Sequence, residues 1–261
     1  MTLGRDAAGN AVVLKRLRAS YRDRDDLALR LEVEASVLNE LGGRRGVVRL
    51  AALERSPLTI VMEYVSGGSL ADHVRDVRDR RIGMPAARAL DVARGILDAL
   101  GYLHAHGVVH RDVKPSNILF ADDGTVRLID FGVAARADSG RGGLLYGLPA
   151  DWIEERVGTL PYAAPETVRD PSGPATAAQD VYGAAVVLYE MLTGVPPWDL
   201  TPDERPESFV ERLECAWEDS GIPEIPGVEP RVAQALSRAL DPDPLRRLGS
   251  ARELAARLGL S

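Results

Sequence analysis

The sequence predicts an α+β chain of two lobes: a small, strand-bearing N-terminal lobe over residues 1–65 and a mainly helical C-terminal lobe over 66–261. Three observations predict it. The apolar, β-branched runs at 11–17 and 58–64 read as strands, because such side chains suit a pleated, half-buried surface. Ser66-Gly67-Gly68-Ser69 reads as a connector, since glycine and serine favour turns. Beyond it the apolar residues recur with a helical period through two long segments.

Between the two strands, Leu27, Leu31, Leu38 and Leu41 fall on one helix face. At 100° per residue Glu34 lies roughly 20° from the direction of Leu27 and points inward, whereas Glu32 and Glu40 lie roughly 140° away and read as solvated. A carboxylate on an apolar face requires a partner. In the second lobe Ala89, Leu90, Ala93, Ile96, Leu97, Leu100 and Leu103 form the stripe of a helix that stops near Gly107 and delivers the chain to His110. Another helix covers about 180–193 and stops at Gly194, with Pro196-Pro197 beyond. Its apolar stretch, Val181 to Leu192, includes Tyr182, Gly183 and Glu190; it is too short to span a bilayer and reads as a buried core helix. Residues 231–240 and 250–259 read as short closing helices, and the acidic, proline-bearing segment 201–230 is either a docking surface or a solvent-facing one.

Composition narrows the function. The net charge is −7 and the arginines are scattered among carboxylates, so no basic stripe is present to track nucleic-acid phosphates. Nucleic acid is not expected as a partner. The single cysteine, Cys215, precludes an internal disulfide and fits a reducing compartment, and its position gives no sign of a nucleophile. No apolar run long enough for a membrane span exists, and the N-terminus lacks a basic-then-apolar signal pattern. A cytoplasmic chain without a membrane span is the expectation.

Thirty arginines stand against only two lysines, Lys15 and Lys114. An ammonium is a compact point charge and a guanidinium a broad planar fork, so lysine survives either where arginine cannot substitute or by the accident of coding bias; the neighbours decide. Lys15 ends the run Ala11-Val12-Val13-Leu14. Lys114 sits in His110-Arg111-Asp112-Val113-Lys114-Pro115-Ser116-Asn117, followed downstream by Asp130-Phe131-Gly132 and then Ala164-Pro165-Glu166. A strand lysine, an H-R-D-x-x-x-x-N loop, a D-F-G and an A-P-E in that order resemble the eukaryotic-type serine/threonine protein kinases, in a bacterial-like form.

That resemblance covers nearly the whole chain and implies a bilobal protein-kinase-like fold, with ATP and Mg2+ as cofactors and protein substrates bearing serine or threonine acceptors. It implies that Lys15 holds the α- and β-phosphates with Glu34 fixing its ammonium, and that Asn117 and Asp130 ligate magnesium. Asp112 would take the hydroxyl proton, and Lys114 would neutralise charge on the transferred phosphoryl, which points to serine/threonine rather than tyrosine acceptors. Met62 would guard the adenine pocket, Glu63 and Val65 would line its hinge, and Leu119 belongs to the same nucleotide site. Gly158-Thr159, before Pro161-Tyr162, resembles the acceptor-binding loop. Glu166 should pair with Arg247 as a buried bridge, Asp180 should brace the catalytic loop, and His110 and Phe131 should only pack.

The sequence departs from the family in two places. No G-x-G-x-x-G turn occurs among the fourteen residues before Lys15, so the N-terminal lobe is expected to lack its first strand and most of its phosphate-covering turn. Met1-Thr2-Leu3-Gly4-Arg5-Asp6 resembles the stretch just after that turn, beginning at its usual valine. A GTG codon read as a start would account for this, and the turn is then expected in the upstream codons. Gly140-Arg141-Gly142-Gly143 comes after Asp130 and reads as flexible loop. Val13 stands where the family usually has alanine against adenine, which would narrow the pocket. Between Gly132 and Pro161 the hydroxyls are Ser139, Tyr146 and Thr159; Thr159 reads as structural, and Ser139 as the phosphate acceptor that Arg111 would clamp. Two rivals stay open here: a pseudokinase serving as a binding module, and a kinase of small molecules.

Overall fold

The computed structural model describes residues 1–17, 19–21, 24–44, 46–78, 82–137, 159–198 and 204–260. Four antiparallel strands open the fold, β1 (Thr2–Arg5), β2 (Ala11–Arg16), β3 (Leu50–Arg55) and β4 (Leu58–Glu63), in the order β1-β2-β4-β3. Lys15 on β2 faces Ile60 on β4, and Val13 faces Met62. The β4 run Thr59–Met62 is buried throughout, as expected of an inner strand covered on one side by a helix. That helix, α1 (Asp25–Leu41), crosses between β2 and β3 and buries Leu31, Leu38 and Leu41 against the sheet.

The sheet gives way after β4 to a strap in which Gly67 N–H donates to the Phe120 carbonyl at 2.8 Å and Phe120 N–H to the Gly68 carbonyl at 3.0 Å. A side chain at Gly67 would meet the Phe120 carbonyl at 2.5 Å, so this close approach requires glycine. The helices α2 (Leu70–Arg78) and α3 (Ala86–Ala105) come next. Three short strand pairings then shape the chemistry: β5 (Val108–Val109) with β8 (Ala135–Arg136), and β6 (Ile118–Phe120) with β7 (Val126–Leu128). The second pair presents Asn117 and Asp130 from the same end, since Ile118 faces Leu128 and the Ile129 amide donates to the Asn117 carbonyl at 3.0 Å.

The remaining helices are α4 (Pro165–Arg169), α5 (Ala177–Thr193), α6 (Pro206–Ser220), α7 (Pro230–Ala239) and α8 (Ala251–Leu258). Helix α5 is buried from Ala178 to Leu192, which accounts for its near-continuous apolar sequence. It ends at Gly194, whose φ of 84° is the left-handed conformation of a helix stop. Among the described residues, six strands and three α-helices add to the expected elements: β1, β3, β5, β6, β7 and β8, and α2, α4 and α6. The segment 201–230 thus contains a helix, and α6 buries Phe209, Val210 and Leu213, so it is neither irregular nor wholly solvent-facing.

Arg247 ties the lower lobe together. Its Nη1 and Nη2 donate to the two Glu166 carboxylate oxygens at 2.7 and 2.9 Å. The remaining donors reach the carbonyls of Asp241, Ala178 and Pro242, and the guanidinium lies 4.9 Å from the Tyr182 ring centroid. A buried guanidinium is tolerated when its five-donor fork is filled in this way.

Candidate active site

Helix α1 and strand β2 bring Glu34 and Lys15 together. Glu34 is only 1% exposed, and Lys15 Nζ donates to its Oε2 at 2.6 Å. The same ammonium donates to Asp130 Oδ1 at 2.8 Å. One compact cation therefore joins residues from the sheet, the helix and the segment after β7. Burial on its own would lower the Lys15 pKa, but the Glu34 and Asp130 carboxylates outweigh it and hold it above the usual lysine value. Burial pushes Glu34 upward, opposed by Lys15 and assisted by Asp130. The lysine remains a cation because it sits between two carboxylates.

The loop after β5 supplies the second half. Asp112 N–H donates to His110 Nδ1 at 3.2 Å, and the His110 Nε2 lies 3.1 Å from the Ile129 carbonyl, so His110 links the loop to the end of β7 rather than only packing. Asn117 Nδ2 donates to the Asp112 carbonyl at 2.9 Å and to its Oδ2 at 2.8 Å. Lys114 Nζ lies 2.9 Å from Asp112 Oδ1 and donates to Thr159 Oγ1 at 2.6 Å. Asp112 is thus oriented by an amide and an ammonium, and Lys114 links it to Thr159, just before Pro161-Tyr162.

Arg111 and Asp130 are the non-glycine residues with positive φ among the described residues, at 62° and 66°. Left-handed backbone is costly for such residues and persists where surroundings enforce it, often at functional sites. At Arg111 the enforcing group is Asp180 on α5, which accepts the amides of His110 and Arg111 at 2.8 and 2.7 Å. The His104 Nε2 lies 2.8 Å from the same carboxylate. Burial would raise Asp180, but the His104 ring, His110 and these amides hold it below the ordinary aspartate value. Arg111 donates from Nε to the Val133 carbonyl at 3.0 Å. Burial pushes its guanidinium down to about 10 against the pull of Asp180, and its Nη2 has no hydrogen-bond partner among the described residues.

Met62 and Val65 are buried, and Leu119 is half-buried on β6, where it bridges Ser69. The Glu63 carboxylate accepts the Arg49 amide at 3.0 Å and lies 3.6 Å from the Arg49 guanidinium, while its own amide donates to the Arg49 carbonyl at 3.0 Å. Glu40 is exposed, as read, and pairs there with Arg136. Ser139, Tyr146, Gly140 to Gly143 and Gly158 lie outside the described residues.

Two buried contacts went unread in the sequence. Tyr162 Oη donates to Glu190 Oε2 at 2.6 Å, anchoring the segment after Thr159 on α5, and His104 supports Asp180. The signal for the first was present, because Glu190 is the one acid inside the apolar run 181–192. Among the described residues no group of three or more His, Cys, Asp and Glu side chains converges as a metal cage. Asn117 and Asp130 nevertheless offer hard oxygens, and magnesium is commonly held by one or two such ligands with phosphates and water completing its shell. The residues therefore fit Mg2+. No helix among the described residues is long and apolar enough to cross a membrane.

Comparison with known proteins agrees with this geometry. The chain is 34% identical over 257 residues to the serine/threonine-protein kinase PknL of Mycobacterium bovis, covering 95% of this chain and 58% of that protein. It is 39% identical over 206 residues to the serine/threonine-protein kinase PkaA of Streptomyces coelicolor, covering 76% and 35%. The probable serine/threonine-protein kinase PknB of Lactococcus lactis is 30% identical over 231 residues, covering 88% and 33%. The chain thus spans about three-fifths or less of the length of these curated relatives. The protein kinase domain matches residues 2–257, and the chain belongs to the protein kinase family.

Proposed function

We propose that this chain transfers the terminal phosphoryl group of ATP, with Mg2+, to serine or threonine hydroxyls of protein substrates in the cytoplasm. The observation that carries the proposal is the Lys15 ammonium held 2.6 Å from Glu34 and 2.8 Å from Asp130. Phosphoryl transfer asks the protein mainly for positioning and charge stabilisation, and these contacts supply a fixed cation beside a metal-binding carboxylate. The serine/threonine kinases among its relatives support the acceptor class.

In this reading Lys15 binds the α- and β-phosphates, and Met62, the backbone of Glu63, Val65 and Leu119 form the adenine pocket between lobes 1–65 and 66–261. Asn117 and Asp130 hold Mg2+, which when bound neutralises charge on the phosphates. Asp112 accepts the acceptor hydroxyl proton as that oxygen bonds to the γ-phosphorus, and the bond to the β–γ bridging oxygen breaks to release ADP. Lys114, beside Asp112 and Thr159, stabilises the charge on the phosphoryl in flight. The binding-module alternative loses ground because Lys15, Asp112, Asn117 and Asp130 all stand in hydrogen-bonding position. Incubation with radiolabelled ATP, magnesium and a generic protein acceptor, followed by acid hydrolysis, tests the acceptor class. Label on phosphoserine or phosphothreonine is expected; label on phosphotyrosine alone, or on aminoglycoside or sugar acceptors in place of protein, contradicts it.

A further inference from the structure

Helix α1 carries Glu34 in its middle and Glu40 in its last turn. Six residues separate them, so their side chains diverge by roughly 120° around the axis and roughly 9 Å along it. Glu34 turns to Lys15, whereas Glu40 is gripped by the Arg136 guanidinium, ninety-six positions away in the chain. The same guanidinium donates to the His106 carbonyl at 3.3 Å. Arg136 ends β8, just past Asp130-Phe131-Gly132.

The strand before Asp130 is tied to the loop that follows this end of the helix. Leu128 N–H donates to the Gly46 carbonyl at 2.6 Å, and Val48 N–H donates to the Leu128 carbonyl at 3.1 Å, so the loop leaving α1 is fixed to β7. Asp130 is therefore bracketed, at 136 by a tie to the last turn of the helix that bears Glu34 and at 128 by a tie to the loop that leaves it. Lys15 closes the circuit by bonding both Glu34 and Asp130. The backbone tie at Leu128 holds the loop after the helix, and the side-chain tie on the other flank holds the last turn of the helix itself.

We propose that Glu40 and Arg136 are a positioning pair that sets the rotation of α1 against the Asp130 segment, so that Glu34 and Asp130 meet one ammonium together. Its kinetic consequence rests on the phosphoryl-transfer reading above; its structural consequence does not. Both side chains are 44% exposed, so the pair is salt-sensitive and its effect is modest.

The test is a charge-reversal cycle of Glu40→Arg, Arg136→Glu and both together, with Glu40→Gln and Arg136→Gln as milder partners should a reversal disturb folding. Amide hydrogen exchange over residues 31–41 and the KM for ATP are read for each. Each single change should speed exchange in the last turns of α1 and raise KM about two- to five-fold, the double reversal should restore both, and high salt should bring the wild type towards the single variants. Single variants indistinguishable from wild type in exchange, or a double reversal as impaired as either single, overturn the pair. If the wild type transfers no phosphoryl at all, the functional reading fails while the exchange arm still decides the pair.

Discussion

At the scale of single residues, the choice of lysine at position 15 is the sharpest statement in the chain, because arginine fills nearly every other cationic position. A guanidinium cannot occupy the point between two carboxylates at 2.6 and 2.8 Å without displacing one of them. Lys15→Arg should therefore keep the charge and lose the geometry, with kcat/KM falling about a hundredfold or more while the melting temperature stays within a few degrees. Steady-state kinetics beside a thermal melt checks both halves. Asp180 makes a prediction of a different kind. Its pKa in the folded chain lies below the ordinary aspartate value of 3.8, so the stability it contributes is present above that value and is lost as pH falls through the lower folded pKa. Asp180→Asn should cost about 2–3 kcal/mol at neutral pH and flatten the loss of stability on acidification below about pH 4. Urea unfolding across that range measures it, and a variant with the wild-type slope contradicts it. Motif residues such as Asp112 and Asn117 were legible in the sequence because their spacing is local. The His104–Asp180 and Tyr162–Glu190 contacts were not, because each joins residues brought together only by packing against α5.

At the scale of elements, legibility tracked burial. Strand β4 and helices α1, α3 and α5 bury a continuous face, β2 buries Val12 and half-buries Val13, Leu14 and Lys15, and their apolar pattern is visible in the residues. Strand β1 is short and exposed, and β3 reads Leu-Ala-Ala-Leu-Glu-Arg with only its two leucines turned partly inward, so neither shows a strand pattern. Helix α6 hides its three buried residues among glutamates. The approach of α5 to the catalytic loop is set by Gly183, where an added methyl would lie 2.9 Å from the Val113 carbonyl and 3.3 Å from that of Tyr162. Gly183→Ala should therefore lower stability by about 1–3 kcal/mol and depress transfer more than its stability loss explains, since both loops that hold Asp112 and Thr159 must give way. Denaturant titration paired with activity at a temperature where the variant is fully folded tests this. An alanine variant with wild-type activity would show that the loops yield without consequence.

At the scale of the whole molecule, the site exists only where the sheet, α1, the loop after β5 and the segment after β7 meet, so ligand binding and stability should be coupled. ATP with magnesium at a hundred times its dissociation constant should stabilise the chain by about 2.7 kcal/mol, read as a rise in melting temperature that disappears in Asp130→Ala. An Asp130→Ala variant that keeps the full rise would place the nucleotide elsewhere. The central claim is that Asp112 and the Lys15–Glu34–Asp130 assembly together perform phosphoryl transfer to protein hydroxyls. Its most direct measurement is incorporation of radiolabel from ATP into a protein acceptor by the wild type and by Asp112→Asn, prepared identically. Incorporation by the wild type that falls about a thousandfold in the variant, at unchanged nucleotide-induced stabilisation, is the predicted result. Equal incorporation by both proteins, or none by a wild type that binds ATP and magnesium, would contradict the account.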